Sequence, residues 1–324
     1  MKTKKLLPVL ALALAATTFA ACGDKTVTFS PYWHKNALSP SETFYEQAEY
    51  TVTSKESVSN YCNYTVKYEG TFTTTLEYKP ATDVYVFETN LAVKAIFTLG
   101  NTTSEVDDTM TSSVEFQAKD NFLRPIKSTK KMTCHTPLRG DYKEASQCYV
   151  IVDYEYNVEY SETENKGSIL STKYDITNSD GETTKSILND KFNFVKDHSY
   201  IDNEQLLVAV RALDDGATLG SYNPFAENTQ KVKISYTNAD AAENFTYVFK
   251  SETGESSKES SILCRTAKIT LYQTNPGVTH KIKMAKYDSQ GNTNHCVILS
   301  ITTPLSFGMG EIYYNLSKLS YHKA

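Results

Sequence analysis

Past its first twenty residues the sequence has no apolar run long enough to cross a bilayer as a helix, so any membrane anchor is lipid or nothing. It contains no HExxH, no C-x-x-C and no G-x-S-x-G, and no stretch repeats at a fixed period. Those absences remove the strongest signatures of zinc enzymes, dithiol redox sites, α/β-hydrolases and solenoids. Basic charge is also short: 33 Lys and Arg stand against 38 Asp and Glu, a net charge of -5. That balance argues against nucleic acid as a partner. Glycine (13) and proline (9) are scarce in 324 residues, whereas tyrosine reaches 23 and Thr and Ser are abundant. The mix favours strands over helices.

What is present begins with a leader. Lys2, Lys4 and Lys5 precede an apolar run from Leu6 to Ala16 and small residues up to Ala21, the layout of a secretory signal. Phe19-Ala20-Ala21-Cys22 resembles a lipobox, with Phe19 where leucine is usual. The expectation is cleavage of residues 1–21 and a diacylglycerol on Cys22; the alternative is ordinary cleavage after Ala20 with a free thiol. Loss of the leader leaves 303 residues and a net charge of -8. Residues 22–45, with Pro31, Trp33 and Pro40, read as a lipid-anchored tether, and 46–324 as one domain in the cell envelope, outside the cytoplasm.

From Tyr64 to Lys79 the even positions are chiefly Tyr, Val, Phe and Leu, and the odd ones Thr, Lys and Glu. A period of two means one buried and one wet face, with a bulge expected near Gly70. The turn Pro80-Ala81-Thr82-Asp83 leads to a partner whose inward residues are Tyr85, Phe87, Leu91, Val93 and Phe97. Cys148 to Tyr160 repeats the pattern through Val150, Val152, Tyr154, Tyr156 and Val158. Weaker strands fall near 168–174, 230–237, 263–272, 279–286, 295–302 and 311–319, and short turns make the whole an antiparallel meander.

One segment departs from this. Asp202 can cap a helix with Gln205 three residues on, and the run from Leu206 to Leu213 is apolar nearly all round up to Gly216. A helix over 202–213 must therefore be buried, on the concave face of a sheet curled as a half-barrel. The stretch from Tyr200-Ile201-Asp202-Asn203-Glu204-Gln205-Leu206-Leu207 to Arg211 resembles the helix signature of an uncharacterised family of bacterial exported proteins. That family is related in fold to lipoprotein-localisation factors, which are half-barrels around a helix. Val297-Ile298-Leu299, Pro304-Leu305, Gly308, Gly310 and Leu316 are similar to its final hairpin, and Leu123-Arg124-Pro125 to its early proline. The resemblance spans roughly 45–320 and implies the half-barrel fold with a groove for acyl chains or other apolar ligands.

Candidate chemistry is sparse. His34, His135, His198, His280, His295 and His322 are scattered, and the neighbours Cys134-His135 and His295-Cys296 would point to opposite faces of a strand, which disfavours zinc. Ser128-Thr129-Lys130-Lys131 has S-x-x-K spacing but no SDN or KTG companion, and reads as a solvated basic loop. Asp175, Asn178, Asp180 and Glu182 around Gly181 loosely resemble a calcium loop, yet a polar turn fits better. Five cysteines remain after Cys22: Cys62, Cys134, Cys148, Cys264 and Cys296. Either Cys134 and Cys148 bridge neighbouring strands or the thiols stay free and buried. Four Asn-x-Ser/Thr sites, at Asn63, Asn101, Asn244 and Asn315, read as chance.

Tyr154, Tyr156, Leu206, Val210 and Arg211 are the residues expected to line a ligand groove or the core. Arg211 either snorkels to the rim, where it could meet a lipid head group, or pairs with a buried carboxylate and holds helix to sheet. No catalytic residue, cofactor or metal is expected. The expected roles, in order, are binding a lipid or apolar ligand, structural or adhesive work through the Thr-rich wet faces, and catalysis. A transmembrane barrel is disfavoured by the lipobox, by wet faces without aromatic girdles, and by the Lys323-Ala324 end.

Overall fold

The alternating stretches become strands of one sheet, which in the computed structural model has seventeen strands among the described residues. The structure describes residues 27, 29, 44–119, 122–161, 166–178, 181–188, 191–193, 199–213, 216–223, 228–237, 241–251, 254–271, 279–286 and 296–323. Cys22 and the leader lie outside them.

β1 (Phe44–Glu56), β2 (Thr65–Lys79), β3 (Val84–Leu99), β4 (Thr102–Lys119), β5 (Phe122–Pro137), β6 (Tyr149–Tyr160) and β7 (Lys166–Thr177) form an antiparallel meander, each paired with the next. β8 (Thr183–Leu188) and β9 (Lys191–Asn193) both lie on β7. The second wing comprises β10 (Tyr200–Asp202), β11 (Ala217–Asn223), β12 (Asn228–Tyr236), β13 (Ala241–Ser251), β14 (Gly254–Leu271), β15 (Thr279–Ala285), β16 (Ile298–Pro304) and β17 (Gly310–Lys323). β17 pairs along the whole of β1, so β1 joins the two wings.

The molecule is thus mainly β, and its large sheet is mostly antiparallel. Two short pairings are parallel: β10 with β11 and β13 with β17. The first has a clear cause. The helix α1 (Leu206–Ala212) connects β10 to β11, and a helical crossover is what lets successive strands run parallel.

In β2, Val66, Tyr68, Phe72, Leu76 and Tyr78 are buried, as the period of two requires. The expected bulge at Gly70 does not form: the register with β3 runs unbroken from Thr65 to Lys79. Gly70 instead permits a close approach, because a Cβ there would collide with the Ala92 carbonyl and the Val93 backbone. Bulges occur elsewhere, one of them between Glu115 and Phe116 on β4, opposite the step from Lys127 to Pro125. Proline is tolerated in a strand at such a break in the ladder. Ser128–Lys131 lies inside β5 rather than in a solvated loop, with Ser128 buried. Asn178 folds the β7–β8 turn, its side-chain oxygen accepting from the Glu182 N–H at 2.9 Å.

The capping box forms as the sequence suggests: Asp202 accepts from the Glu204 N–H, and Gln205 accepts from the Asp202 N–H. The helix is shorter than expected, a single 3-10 turn at Asn203–Gln205 followed by seven α-helical residues. Val208, Ala209, Val210 and Ala212 are fully buried, whereas Leu206 and Leu207 are only half-buried. An all-round apolar pattern cannot tell which side faces the sheet, and here the first turn stays at the margin. Within the expected tether, Val27 and Phe29 are described, and both belong to the domain. Phe29 is buried in the main core, and Val27 exchanges hydrogen bonds with the Ser199 hydroxyl at 3.0 and 3.2 Å.

Candidate binding surface

Register places the wet-face residues of five strands side by side. Thr73, Asn90, Thr111, Lys131 and Glu155 form one row across β2, β3, β4, β5 and β6; Thr75, Glu88, Ser113, Thr129 and Asn157 form the next. Four interstrand steps of about 4.8 Å make each row ~19 Å long. These rows line an open trough of about 620 Å³. Its outward-pointing side chains are hydroxyls and amides plus Glu88, Lys131 and Glu155; Thr89, Ser112, Lys130 and Tyr156, which alternate with them along the strands, also border it. Thr75 donates to Glu88 at 3.3 Å.

The opposite face of the same strands carries a buried polar network. Thr89 and Ser112 hydroxyls meet at 2.7 Å. Lys130 and the Tyr156 hydroxyl both donate to Glu204, at 3.0 and 2.8 Å, and the Ser128 and Tyr160 hydroxyls both donate to Asp202, at 2.6 and 2.5 Å. The start of the helix is therefore fastened to β5 and β6 by two carboxylates. Burial, then the neighbouring Glu204, pushes Asp202 up to about 6. Burial alone would raise Glu204 as well, but the Lys130 ammonium reverses this and holds it below the ordinary carboxylate range. Burial and the same carboxylates push the Tyr156 and Tyr160 hydroxyls well up.

The residues expected to share a groove are divided between two clusters. Tyr154 and Tyr156 are buried, their rings edge-on at 5.4 Å, in a cluster with Val150, Val152 and Phe192. Leu206 and Val210 belong to the larger core under β1, β2 and β12, where the Val210 carbonyl accepts from Tyr236 at 2.7 Å. Arg211 is buried and forms a two-pronged ion pair with Glu46 of β1, at 2.6 and 2.8 Å. Burial would lower the guanidinium pKa, and the Glu46 carboxylate more than reverses this. Sequence reading missed Glu46, although it falls in line with the buried Ala48, Tyr50 and Val52 and extending the alternation upstream would have found it.

The five cysteines after Cys22 are free and buried. Cys134 and Cys148 sit in different clusters, which leaves no support for a bridge between them. His135 pairs with Asp108 at 2.7 Å and packs edge-on against Tyr149. Among the described residues no group of three or more His, Cys, Asp or Glu side chains is placed to hold a metal ion.

Neither a protein-family model nor a curated protein sequence matches the chain. Among solved structures it is similar to the crystal structure of a beta-barrel-like protein of a domain of unknown function, DUF1849, from Brucella abortus. The two share 7% identity and a TM-score of 0.46, over 86% of this chain and 98% of that one.

Proposed function

We propose that this chain is a lipid-anchored protein of the cell envelope that works through its outer, hydroxyl-lined trough, in a structural or adhesive role and without catalysis. The observation that carries this reading is the trough itself, two register-aligned rows across five strands in which Thr, Ser and Asn hold seven of the ten positions. Such a surface offers donors and acceptors to another hydroxyl-rich polymer, the chemistry of cell-wall polysaccharide, and little to an acyl chain. The inward residues agree with it. Tyr154, Tyr156 and Val210 are 5%, 1% and 0% exposed, so they present no open apolar groove.

The second reading is a half-barrel curled around α1 that holds a lipid, by analogy with the lipoprotein-localisation factors. One preparation separates the two. The domain purified without its anchor is extracted for mass spectrometry, and cosedimented with purified insoluble cell-wall polysaccharide. Sedimentation with the polysaccharide is expected, weakened several-fold in an Asn90→Ala, Thr111→Val, Lys131→Ala triple variant, with no stoichiometric lipid. A co-purifying acyl lipid, or retention indifferent to the triple variant, transfers the function to the interior.

A further inference from the structure

We infer that Cys62 and Cys148 are a redox pair that closes to a disulfide outside the cytoplasm. They are 86 positions apart in sequence, and the fold brings both against Leu138. The Cys62 Sγ–H points at the Leu138 carbonyl at 3.7 Å, and the Leu138 N–H donates to the Cys148 carbonyl at 2.8 Å. The Tyr64 hydroxyl donates to the same Leu138 carbonyl at 2.6 Å, and its ring packs edge-on against Tyr142 at 6.0 Å. Both thiols belong to the main core cluster, close to Tyr64 and Tyr142.

The Cys148 thiol donates to the Glu144 carbonyl at 3.5 Å, a contact that closure of the pair gives up, and the other thiols have partners of their own. Cys134 faces Thr136 at 3.7 Å in the second cluster, and Cys264 turns back on the Ile262 carbonyl at 3.1 Å. The backbone around the pair can adjust. Cys62 is held to Gly140 by an isolated bridge between two connections, those from β1 to β2 and from β5 to β6, rather than inside a ladder. A small shift of either connection draws the sulfurs together without breaking the sheet.

The chemistry is thiol–disulfide exchange with a disulfide oxidant, a small molecule such as oxidised glutathione or a protein. One deprotonated thiol of the pair attacks the oxidant's S–S bond, giving a mixed disulfide and releasing one thiol. The second displaces the remaining half, so two electrons and two protons pass to the oxidant as two thiols. Cys62 opens the exchange, because it is 7% exposed against 0% for Cys148 and adjoins the exposed Tyr61. The product ties two connections at one end of the meander, shutting a long loop of the unfolded chain.

The test uses the whole exported chain, trapped with an alkylating agent before and after incubation with oxidised glutathione, then digested without reduction and mapped by mass spectrometry. A Cys62–Cys148 peptide is expected, with Cys134, Cys264 and Cys296 alkylated after denaturation. The oxidised form should melt several degrees higher, a gain that reductant, Cys62→Ser or Cys148→Ser each removes and Cys134→Ser does not. Five alkylated thiols after oxidation, or a linkage to any other cysteine, overturns the inference; the peptide map needs no variant to fold.

Discussion

Replacing Glu46 by alanine is expected to cost the fold about 3–5 kcal/mol, a large part of a single domain's stability. The Arg211 and Glu46 side chains are only 4% and 3% exposed, and both guanidinium NH2 nitrogens are engaged by the one carboxylate. Removing it leaves a buried cation beside Tyr50 and Tyr321 without its counter-charge. The pair joins residues 165 positions apart, binding the last turn of α1 to the strand that unites the two wings. Urea unfolding at neutral pH measures the loss, with the slope against denaturant unchanged if the native state keeps its compactness. The double variant Glu46→Leu, Arg211→Met should recover most of it, because a buried ion pair holds little net advantage over well-packed apolar side chains. A single-variant loss below about 1 kcal/mol would mean that water reaches the guanidinium.

The second large effect is expected at Lys130, which with Glu204 forms a pair 15% and 7% exposed. Lys130→Met leaves Glu204 and Asp202 as adjacent buried carboxylates with no cation in the network, and about 3–5 kcal/mol should be lost at pH 7. The loss depends on pH in a definite sense. Asp202 is raised to about 6 from 3.8, so in the native protein its contribution is full below about pH 4 and is lost as pH rises through 6. Glu204 is lowered, so its contribution is present above its ordinary pKa and is lost as pH falls through the folded value. Without Lys130 the Glu204 carboxyl joins Asp202 on the raised side. The variant should then become steadily less stable from about pH 4 upward, and Asp202→Asn should flatten part of that slope. A Lys130→Met protein whose stability runs parallel to the native curve would show that the two carboxylates are not coupled through the lysine.

Local periodicity made β2, β3 and β6 legible, because Tyr, Val and Phe recur at every second position with little polar interruption. β4 escaped notice for a physical reason. Its inward row of Val106, Met110, Val114 and Phe116 is broken by Asp108 and Ser112, both buried and both satisfied by distant partners. The capping box at Asp202 could be read because it is contained in four residues. The trough could not, since Thr73, Asn90, Thr111, Lys131 and Glu155 become neighbours only through the register of five strands. The same holds for Cys62 and Cys148, and for Glu46 and Arg211.

Phe29 in the core and Val27 tied to Ser199 set the reach of any lipid anchor at Cys22. Only five residue steps separate Cys22 from Val27, and a fully extended chain covers at most about 3.6 Å per step, or ~18 Å. An acyl chain on Cys22 would therefore hold the domain on a leash shorter than the hydrocarbon core is thick, about 30 Å. So anchored, the domain could neither drift far into the space beyond the membrane nor turn over freely. The residues around Ser199 would then be kept near the headgroup layer. Whatever the outer face meets would have to come to it, within one protein's height of the lipid.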